Sequence, residues 1–403
     1  MVLSIDESTH IPFEFSTVKR TARRAYRLED FFNAADDCYF VESPQADIPI
    51  PPPDETFGVD ANTVFEGGPY TYDNLILKTR DRLIAKLHNV EVDKAANFHF
   101  LDRNIALADI YHPSVIRTHW NPHIIRADIP GIKVDLLARK KPESIRTIKE
   151  DVVSLGFFWI NNYWHLLMDV LPRLRVLSSY PQFNSMPILW HAHQSRFIEP
   201  VLEAFGIKDR LVTVDTDAVI CERLYLPSMF APDGMSREQI DWVRDAMMRA
   251  FGVTARPDPK RLLYVSRREA AARKIGNEAE LFRELQALGF EMVVPAEMSM
   301  AEQIATFSEA RMFVGPHGAS FANLIYCPDN IGVVDIQPGN RPHPFTFAMA
   351  KLKRQYYGTY LCQAFDDVHM AVDVRELVSM VERLMAKVDG AHGKAGGGDA
   401  SES

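Results

Sequence analysis

A histidine followed by small residues lies at a predicted strand-to-helix corner in the segment VGPHGASFANLIYCPDNIGVVDIQP (314–338). Open backbone N–H groups at the start of a helix attract anions, so this corner predicts a phosphate site. Close packing without a ligand explains small residues at such a corner equally well. Asp335 ends the following strand, where a carboxylate can bind ribose hydroxyls or a base, or cap the next turn. The candidate ligand-binding residues of this segment are His317, Gly318, Ala319, Ser320, Asn323 and Asp335.

Arginines cluster in a second segment, YVSRREAAARKIGNE (264–278). Ser266 and Arg267 end a predicted strand, and Arg273 and Asn277 lie before or at the start of a predicted helix. Guanidinium groups at a strand end can hold a diphosphate through paired hydrogen bonds. The alternative is an ordinary charged surface loop, and we expect Arg268 to be a surface residue of that kind.

A histidine and a carboxylate share one face of a predicted helix in the segment NNYWHLLMDVLPRL (161–174). His165 and Asp169 stand four residues apart, and an imidazole oriented by a carboxylate is a usable general base. An ordinary surface ion pair is the alternative. The neighbouring residues are mostly apolar, so the pair is kept there at a desolvation cost. Arg173, which follows Pro172, could equally be an ordinary solvated residue.

Other catalytic or metal-binding interpretations have weaker support. The second glycine of an esterase nucleophile elbow is missing after Ser320. His191 and His193 have metal-ligand spacing but no third ligand near them in sequence, so we predict no metal site. The four cysteines are far apart without a C-x-x-C pair, so neither a structural zinc site nor a disulfide framework is suggested, and we expect a reducing compartment.

The elements that must position these residues alternate between strands and helices from about residue 150. Helices are predicted from Asn162, Ser236, Asn277 and Ser299, the last with a capping box to Glu302. Alternation predicts an α/β fold with parallel sheets covered on both faces. The segment GVTARPDPK (252–260) interrupts this alternation, as a linker or domain boundary does. We therefore predict two doubly wound domains, 121–255 and 256–390, facing a ligand cleft, with an irregular β-containing part at 1–120 and a disordered tail at 391–403.

Composition sets broad limits on function. A net charge of −9 over 403 residues, without charge blocks, argues against general binding of nucleic acid. The longest apolar run, VVSLGFFWI (152–160), is too short to span a bilayer, and the first residues carry charges where a signal peptide needs an apolar stretch. We expect a cytoplasmic protein with no transmembrane segment, and peripheral association with the inner membrane face stays open.

Four ordered segments resemble glycosyltransferase family 61, which includes bacterial capsular polysaccharide proteins and was formerly a domain of unknown function. They are NNYWHLLMDVLPRL, LYVSRREAAARKIGNE, GFEMVVPAEMSMAEQIATFSEA and VGPHGASFANLIYCPDNIGVVDIQP. The resemblance covers residues 150–340. Two departures affect the donor pocket: the family often has glycine-leucine-threonine at Ser320–Phe321–Ala322, and often glutamate at Asp335.

The resemblance implies a GT-B type fold, with two Rossmann-like domains and the nucleotide-sugar donor held mainly by the second. It also implies transfer with inversion to a glycan or lipid-linked glycan acceptor held by the first domain, with neither a metal nor another cofactor. A catalytically silent nucleotide-sugar or polysaccharide-binding subunit would have the same fold and remains an alternative. A hydrolase using Ser320 is a third class.

Overall fold

The computed structural model describes residues 8–22, 24–58, 76–78, 81–94, 98–107, 124–129, 132–156, 160–190, 197–228, 236–254, 258–339, 343–364 and 369–395. His191 and His193 lie outside these residues. The strands are β1 His10–Pro12, β2 Glu14–Ser16, β3 Cys38–Ser43, β4 Asp47–Pro49, β5 Glu55–Phe57, β6 Ile76–Lys78, β7 Arg82–Asp93, β8 His99–Leu101, β9 Ile105–Leu107, β10 Ile124–Ile129, β11 Ile132–Lys140, β12 Ile145–Ser154, β13 Ile188–Trp190, β14 Leu211–Thr213, β15 Ala218–Pro227, β16 Arg261–Val265, β17 Glu291–Val293, β18 Ala310–Pro316, β19 Gly332–Pro338, β20 Tyr356–Ala364 and β21 Met370–Ala371.

The helices of the described residues are mostly short. The α-helices are α1 Val18–Thr21, α2 Leu28–Phe31, α3 Tyr163–His165, α4 Leu171–Ser179, α5 Ile198–Ala204, α6 Arg237–Ala250, α7 Glu278–Ala287, α8 Met300–Ser308, α9 Phe345–Leu352 and α10 Val374–Ala395. A π-helix covers Leu166–Val170, and 3₁₀ helices cover Pro181–Phe183, Lys208–Arg210, Pro295–Glu297 and Ala319–Ile325.

The chain divides into two compact units, each with one large and one small sheet. Unit 1 is Met1–Ala46 with Thr79–Gly234, and unit 2 is Asp47–Lys78 with Met235–Ser403. The early segment joins unit 2 because β5 pairs in parallel with β20. Asp54 strengthens this attachment by an ion pair with Lys351 and by accepting a hydrogen bond of 2.8 Å from the backbone N–H of Tyr357.

Unit 1 contains a mixed nine-stranded sheet in the order β14-β13-β12-β15-β7-β8-β9-β2, with β3 also paired to β7. The neighbours from β14 to β15 are parallel, as the alternation of strands and helices predicts. The strands from the N-terminal part then extend the sheet, beginning with β7, which lies antiparallel to β15. The core of this unit is aliphatic and aromatic; it includes Val18, Leu87, Phe98, Phe100, Val152 and Leu224.

Unit 2 contains a sheet in the order β17-β16-β18-β19-β20, all parallel, with β21 antiparallel to β20 at one end. In terms of order along the chain this is 2-1-3-4-5, the arrangement of a doubly wound nucleotide-binding sheet. The strands are nearly continuous hydrophobic runs because helices cover both faces of such a sheet. Its core includes Tyr264, Leu281, Val314, Val334, Leu377 and Leu384.

Local signals predicted several helix ends correctly. The capping box of Ser299 and Glu302 is present, and Ser236 forms a second one with Gln239. Asn162 caps α3 by accepting a hydrogen bond of 2.9 Å from the backbone N–H of Trp164. Such caps bond donors that the helix itself cannot satisfy, so neighbouring residues decide where a helix begins.

The final helix is longer than the sequence suggests. α10 continues to Ala395, into the segment for which we predict disorder, and residues 396–403 lie outside the described residues. Val388, near its end, is still fully buried against the sheet of unit 2. A helix anchored by such contacts propagates at low cost into residues that would not nucleate one.

Candidate functional site

The strand order of unit 2 reverses between β16 and β18. From β16 the chain moves outward to β17 and then returns to form β18 on the other side of β16. In parallel α/β sheets, ligands bind at such a switch point, outside the carboxyl ends of the strands. Ser266 and Arg267 follow β16 at this edge, and His317 and Gly318 follow β18. The fold therefore brings two of the three predicted segments to one place.

Gly318 and Arg267 are in direct contact there. A Cβ atom built on Gly318 would lie 1.6 Å from Nη1 of Arg267 and 2.6 Å from its Cζ, a distance no real side chain could keep. The backbone at Gly318 is extended, with φ of 172°, so its conformation does not require glycine. The guanidinium group of Arg267 occupies the space that a side chain at this position would fill, so a larger residue would have to move this flexible group. The small residue predicted at the corner therefore leaves room for Arg267.

The guanidinium group of Arg267 has few hydrogen-bond partners for a partly buried cation. Its Nη2 donates to the carbonyl of Ala272 at 3.3 Å, and its buried Nε has no hydrogen-bond partner among the described residues. Burial, together with the positive charge of Arg273, lowers the pKa of Arg267 to about 10. Arg273 has a left-handed backbone, with φ of 58°. A partly buried guanidinium beside a second one favours an anion as ligand.

His317 contacts a buried carboxylate. Its Nδ1 lies 3.2 and 3.1 Å from the two oxygens of Asp335, which is fully buried. The sequence leaves two roles open for Asp335, as an acceptor for ribose or base or as a cap of the next turn. In the structure its Oδ2 also accepts hydrogen bonds from Tyr357 at 2.9 Å and from Gln337 at 3.0 Å. Burial and the charge of Asp335 raise the pKa of Tyr357 well above its usual value, so Tyr357 remains a donor.

The sequence did not identify the residues that hold Asp335. Gln337 lies two residues after Asp335 on β19. Because side chains alternate along a strand, the two share one face of the sheet, and this spacing is the one sequence signal for their contact. Its amide also donates to the carbonyl of His343 at 3.0 Å. The ring of His343 stacks on that of His317, with centroids 4.9 Å apart and planes at 7°. Tyr357 lies 22 residues after Asp335 on the next strand, and His343 lies six residues after Gln337, and no sequence pattern points to either as a partner.

Three other predicted residues of unit 2, Asn277, Asn323 and Ser266, have side chains that bond to groups of the protein itself. Asn277 exchanges hydrogen bonds with both backbone groups of Val372, at 2.9 and 3.2 Å. Asn323 is fully buried and donates to the side chain of Gln303. Ser266 is buried and accepts from the backbone N–H of Arg268.

The corner after His317 opens into a 3₁₀ helix and not into an α-helix. Ala319 and Ser320 form its first turn, and it ends at Ile325. The Oγ of Ser320 is buried without a hydrogen-bond partner among the described residues. The helix predicted after this corner is therefore a short 3₁₀ helix, in which the hydrogen-bond geometry is poorer than in an α-helix.

The third predicted segment lies in unit 1. The Nδ1 of His165 is 2.5 Å from Oδ2 of Asp169, and the two side chains are 19% and 5% exposed. The pair is therefore largely buried, unlike an ordinary surface ion pair. An imidazole with one nitrogen held by a carboxylate can accept a proton at the other.

The helix that carries this pair contains a π-helical turn, which the sequence did not predict. Leu166–Val170 is π-helical, and the backbone N–H of Leu171 bonds to the carbonyl of Leu166, five residues earlier. Pro172 explains the change, because it has no N–H and its ring crowds the preceding turn. Arg173 is fully buried, with Nη2 donating at 2.6 Å to the carbonyl of Leu155, so a solvated position is wrong. Such π turns often occur at functional sites.

No helix in the described part of the chain is long and apolar enough to cross a membrane. Within the same residues, no group of three or more His, Cys, Asp or Glu side chains is arranged to hold a metal ion.

Comparison with protein families gives one match. The model of glycosyltransferase family 61 matches residues 163–334, which include His165, Arg267 and His317 and stop one residue before Asp335. The region similar to glycosyltransferase family 61 is less than half of the chain. No curated protein matches the chain.

The solved structures that are similar to the chain include the following two. One is dodecameric iron-containing heptosyltransferase TibC in complex with ADP-D-beta-D-heptose, at 13% identity and a TM-score of 0.28. The other is iron-containing dodecameric glycosyltransferase TibC from enterotoxigenic E. coli H10407, at 14% identity and a TM-score of 0.29. Each comparison covers 72% of this chain and 81% of the other. Scores this low support no conclusion about this protein.

Proposed function

We propose that this protein is an inverting glycosyltransferase of the GT-B type, which moves a sugar from a nucleotide-sugar donor to a glycan or lipid-linked glycan acceptor. The family match supports glycosyl transfer. The proposal adds the donor class, inversion at the anomeric carbon, and a role in building a bacterial surface polysaccharide such as a capsule. A lipid-linked acceptor would place the reaction at the cytoplasmic face of the membrane, with the enzyme bound peripherally.

The observation that carries the proposal is the position and charge of Arg267. It lies at the switch point of a 2-1-3-4-5 sheet, against Gly318, without a carboxylate partner among the described residues. A nucleoside diphosphate supplies the anion that such a cation favours, at the edge where doubly wound sheets bind nucleotides.

In this proposal unit 2 holds the donor. Arg267, Arg273 and the N–H groups after His317 bind the diphosphate, and the orphan hydroxyl of Ser320 is a further contact. As the sugar leaves, these fixed donors stabilise the charge that develops on the departing phosphate oxygen.

The acceptor side of the reaction is assigned to unit 1. The acceptor hydroxyl attacks the anomeric carbon while the bond from that carbon to the diphosphate breaks, and the electron pair leaves with the diphosphate. The acceptor proton must go to a base as the new bond forms. We assign this role to His165, with Asp169 orienting the ring, and the exchanged assignment, with Asp169 as base, fits the same 2.5 Å contact.

The direct test is a thermal-shift screen of the full chain against nucleoside diphosphates and nucleotide sugars. A ligand at a hundred times its dissociation constant should add about 2.7 kcal/mol to the free energy of unfolding. We expect one nucleotide family to stabilise the wild-type chain and to stabilise the Arg267→Ala variant clearly less. The absence of stabilisation by every nucleotide in the panel would contradict the proposal.

Metal independence is a separate prediction of the GT-B assignment. If Arg267, Arg273 and backbone donors neutralise the diphosphate, a bridging cation is not required. Turnover should therefore survive EDTA at a concentration that removes divalent cations. Loss of turnover in EDTA, with recovery on adding magnesium or manganese, would show that a metal takes part.

A further inference from the structure

Arg173 joins the helix that carries His165 and Asp169 to the strand that precedes it. Its guanidinium group is fully buried. Nε donates at 3.1 Å to the main-chain carbonyl of Asp169, and Nη2 donates to the carbonyls of Leu155 and Gly156 at 2.6 and 3.3 Å. One planar group therefore connects the π turn of the helix to the carboxyl end of β12.

The carboxyl end of β12 lies at the switch point of the large sheet in unit 1. From β12 the chain forms β13 and β14 on one side, and it then returns to form β15 on the other side of β12. All of these neighbours are parallel. Ligands of parallel α/β sheets bind outside the carboxyl ends of the strands at such a point. Arg173 thus ties the His165–Asp169 pair to the edge of unit 1 that suits a ligand.

The same strand end is also held through its backbone N–H groups. The buried Oγ of Ser154 accepts a hydrogen bond of 3.3 Å from the N–H of Gly156 and lies 2.7 Å from Nε2 of His99, which is fully buried. The N–H of Leu155 donates at 3.4 Å to the carbonyl of Leu189 on β13. Both backbone groups of Leu155 and of Gly156 are therefore bonded to buried groups, and moving this segment would break bonds that solvent cannot replace.

The chemistry of arginine suits this position. Pro172 has no N–H, and the side chain of Arg173 supplies a further donor to the same turn at the carbonyl of Asp169. Taking a guanidinium group out of water costs free energy, which charge-assisted bonds to the carbonyls offset. The group is planar and fixes the directions of its N–H bonds, whereas a lysine ammonium is a point charge on a flexible stem. A lysine could bond to one carbonyl, but it could not hold the helix and the strand end in one fixed geometry.

We propose that Arg173 is a positioning residue that locks the π turn to the carboxyl end of β12, with Ser154 holding that end, so that the His165–Asp169 pair meets the acceptor hydroxyl in one geometry. The inference rests on the proposed function, which assigns proton transfer to this pair. Proton transfer requires the base within hydrogen-bonding reach of the hydroxyl. A misplacement of about 1 Å can cost about a hundredfold in rate. Loosening the contact of Arg173 should therefore lower kcat and leave binding of the donor, assigned to unit 2, unchanged.

The test measures release of nucleoside diphosphate from UDP-, GDP- and ADP-linked hexoses, with oligosaccharides and water as acceptors. We expect Arg173→Lys to lower kcat about 10- to 100-fold and to leave the KM of the donor within about twofold of wild type. The decisive comparison repeats the substitution in the His165→Ala variant. Because Arg173 acts through the pair, the further loss there should be less than about twofold. A residue that only stabilises the fold would show no such dependence on His165.

Arg210 provides the matched control for this substitution. It is a partly buried arginine of unit 1, and its Nη2 donates to the carbonyls of Phe183 and Met186 at 2.6 and 2.8 Å. Arg210→Lys should lower the melting temperature, as Arg173→Lys does, and should keep kcat near wild type. Circular dichroism sets the assay temperature below both unfolding transitions. An equal loss of kcat in the two variants would overturn the inference, because general loosening of unit 1 would explain both.

Ser154→Ala is the second variant, and it decides the question even if Arg173→Lys does not fold. It removes the hydroxyl that accepts from Gly156, and it should lower kcat about tenfold in the wild-type background but not in His165→Ala. For either variant, kcat at the wild-type level, or the same fold-loss in both backgrounds, would overturn the inference while leaving the proposed function intact. A wild-type chain that releases nucleoside diphosphate from none of these donors would overturn both.

Discussion

Replacing His165 with alanine should lower turnover about 100- to 10,000-fold, the range typical for loss of a general base. Asp169→Asn should cause a loss of the same order, because it removes the carboxylate 2.5 Å from the imidazole. Donor affinity should stay near wild type in both variants, since the nucleotide is assigned to unit 2. The measurement is turnover beside donor binding for each variant.

His88 provides a matched control for this pair. Its Nδ1 lies 2.8 Å from Asp37 in the same unit, in a contact of the same type that is more exposed and lies on a strand. His88→Ala should leave turnover unchanged. Near-normal turnover in both His165→Ala and Asp169→Asn would remove the pair from the mechanism. Donor binding without turnover in the wild-type chain would favour the catalytically silent binding subunit.

Arg267→Ala should weaken binding of the nucleoside diphosphate by roughly 1.5 to 3 kcal/mol, the value of a hydrogen bond to a charged group. The variant removes the guanidinium that lies against Gly318 at the switch point. Arg267→Lys should recover only part of this energy, because an ammonium group lacks the planar pair of donors. Calorimetry with the nucleotide that emerges from the thermal-shift screen measures both variants.

Arg268 is the control for this prediction. It is the next residue, is exposed, and pairs on the surface with Glu297 at 2.6 Å. Arg268→Ala changes the net charge of the chain equally, so it measures the general electrostatic contribution. Equal losses in the two variants would mean that Arg267 acts through long-range charge alone and makes no direct contact.

The sequence by itself determined the architecture of unit 2. Alternating strands and helices, the Ser299 capping box and the order of motifs required a parallel α/β sheet, and the structure has one. These signals are local: a cap or an apolar period depends on residues within a few positions of one another. For the same reason the sequence located Arg267 and His317 at the ends of their strands, at what became the switch point.

The tertiary structure decided the surroundings and partners of these residues. The motif identified Asp335, but its burial and its bond to Tyr357 depend on how β19 and β20 lie side by side. The sequence leaves a solvated position open for Arg173, whereas in the structure its buried guanidinium donates to the carbonyls of Leu155, Gly156 and Asp169. A polar side chain is equally compatible with solvent or with a buried partner until the fold supplies that partner.

Long-range strand pairing was likewise beyond the sequence. Asp54 bonds to Tyr357, 303 residues later, and β5 adds to the sheet of unit 2 next to β20. A short strand such as Glu55–Phe57 carries no mark of its partner, because any exposed sheet edge offers the same backbone donors and acceptors. Which edge it joins depends on side-chain packing across the whole unit, such as the stack of Phe57 on Tyr360 at 4.5 Å between ring centroids. That packing exists only once the sheet of unit 2 has formed.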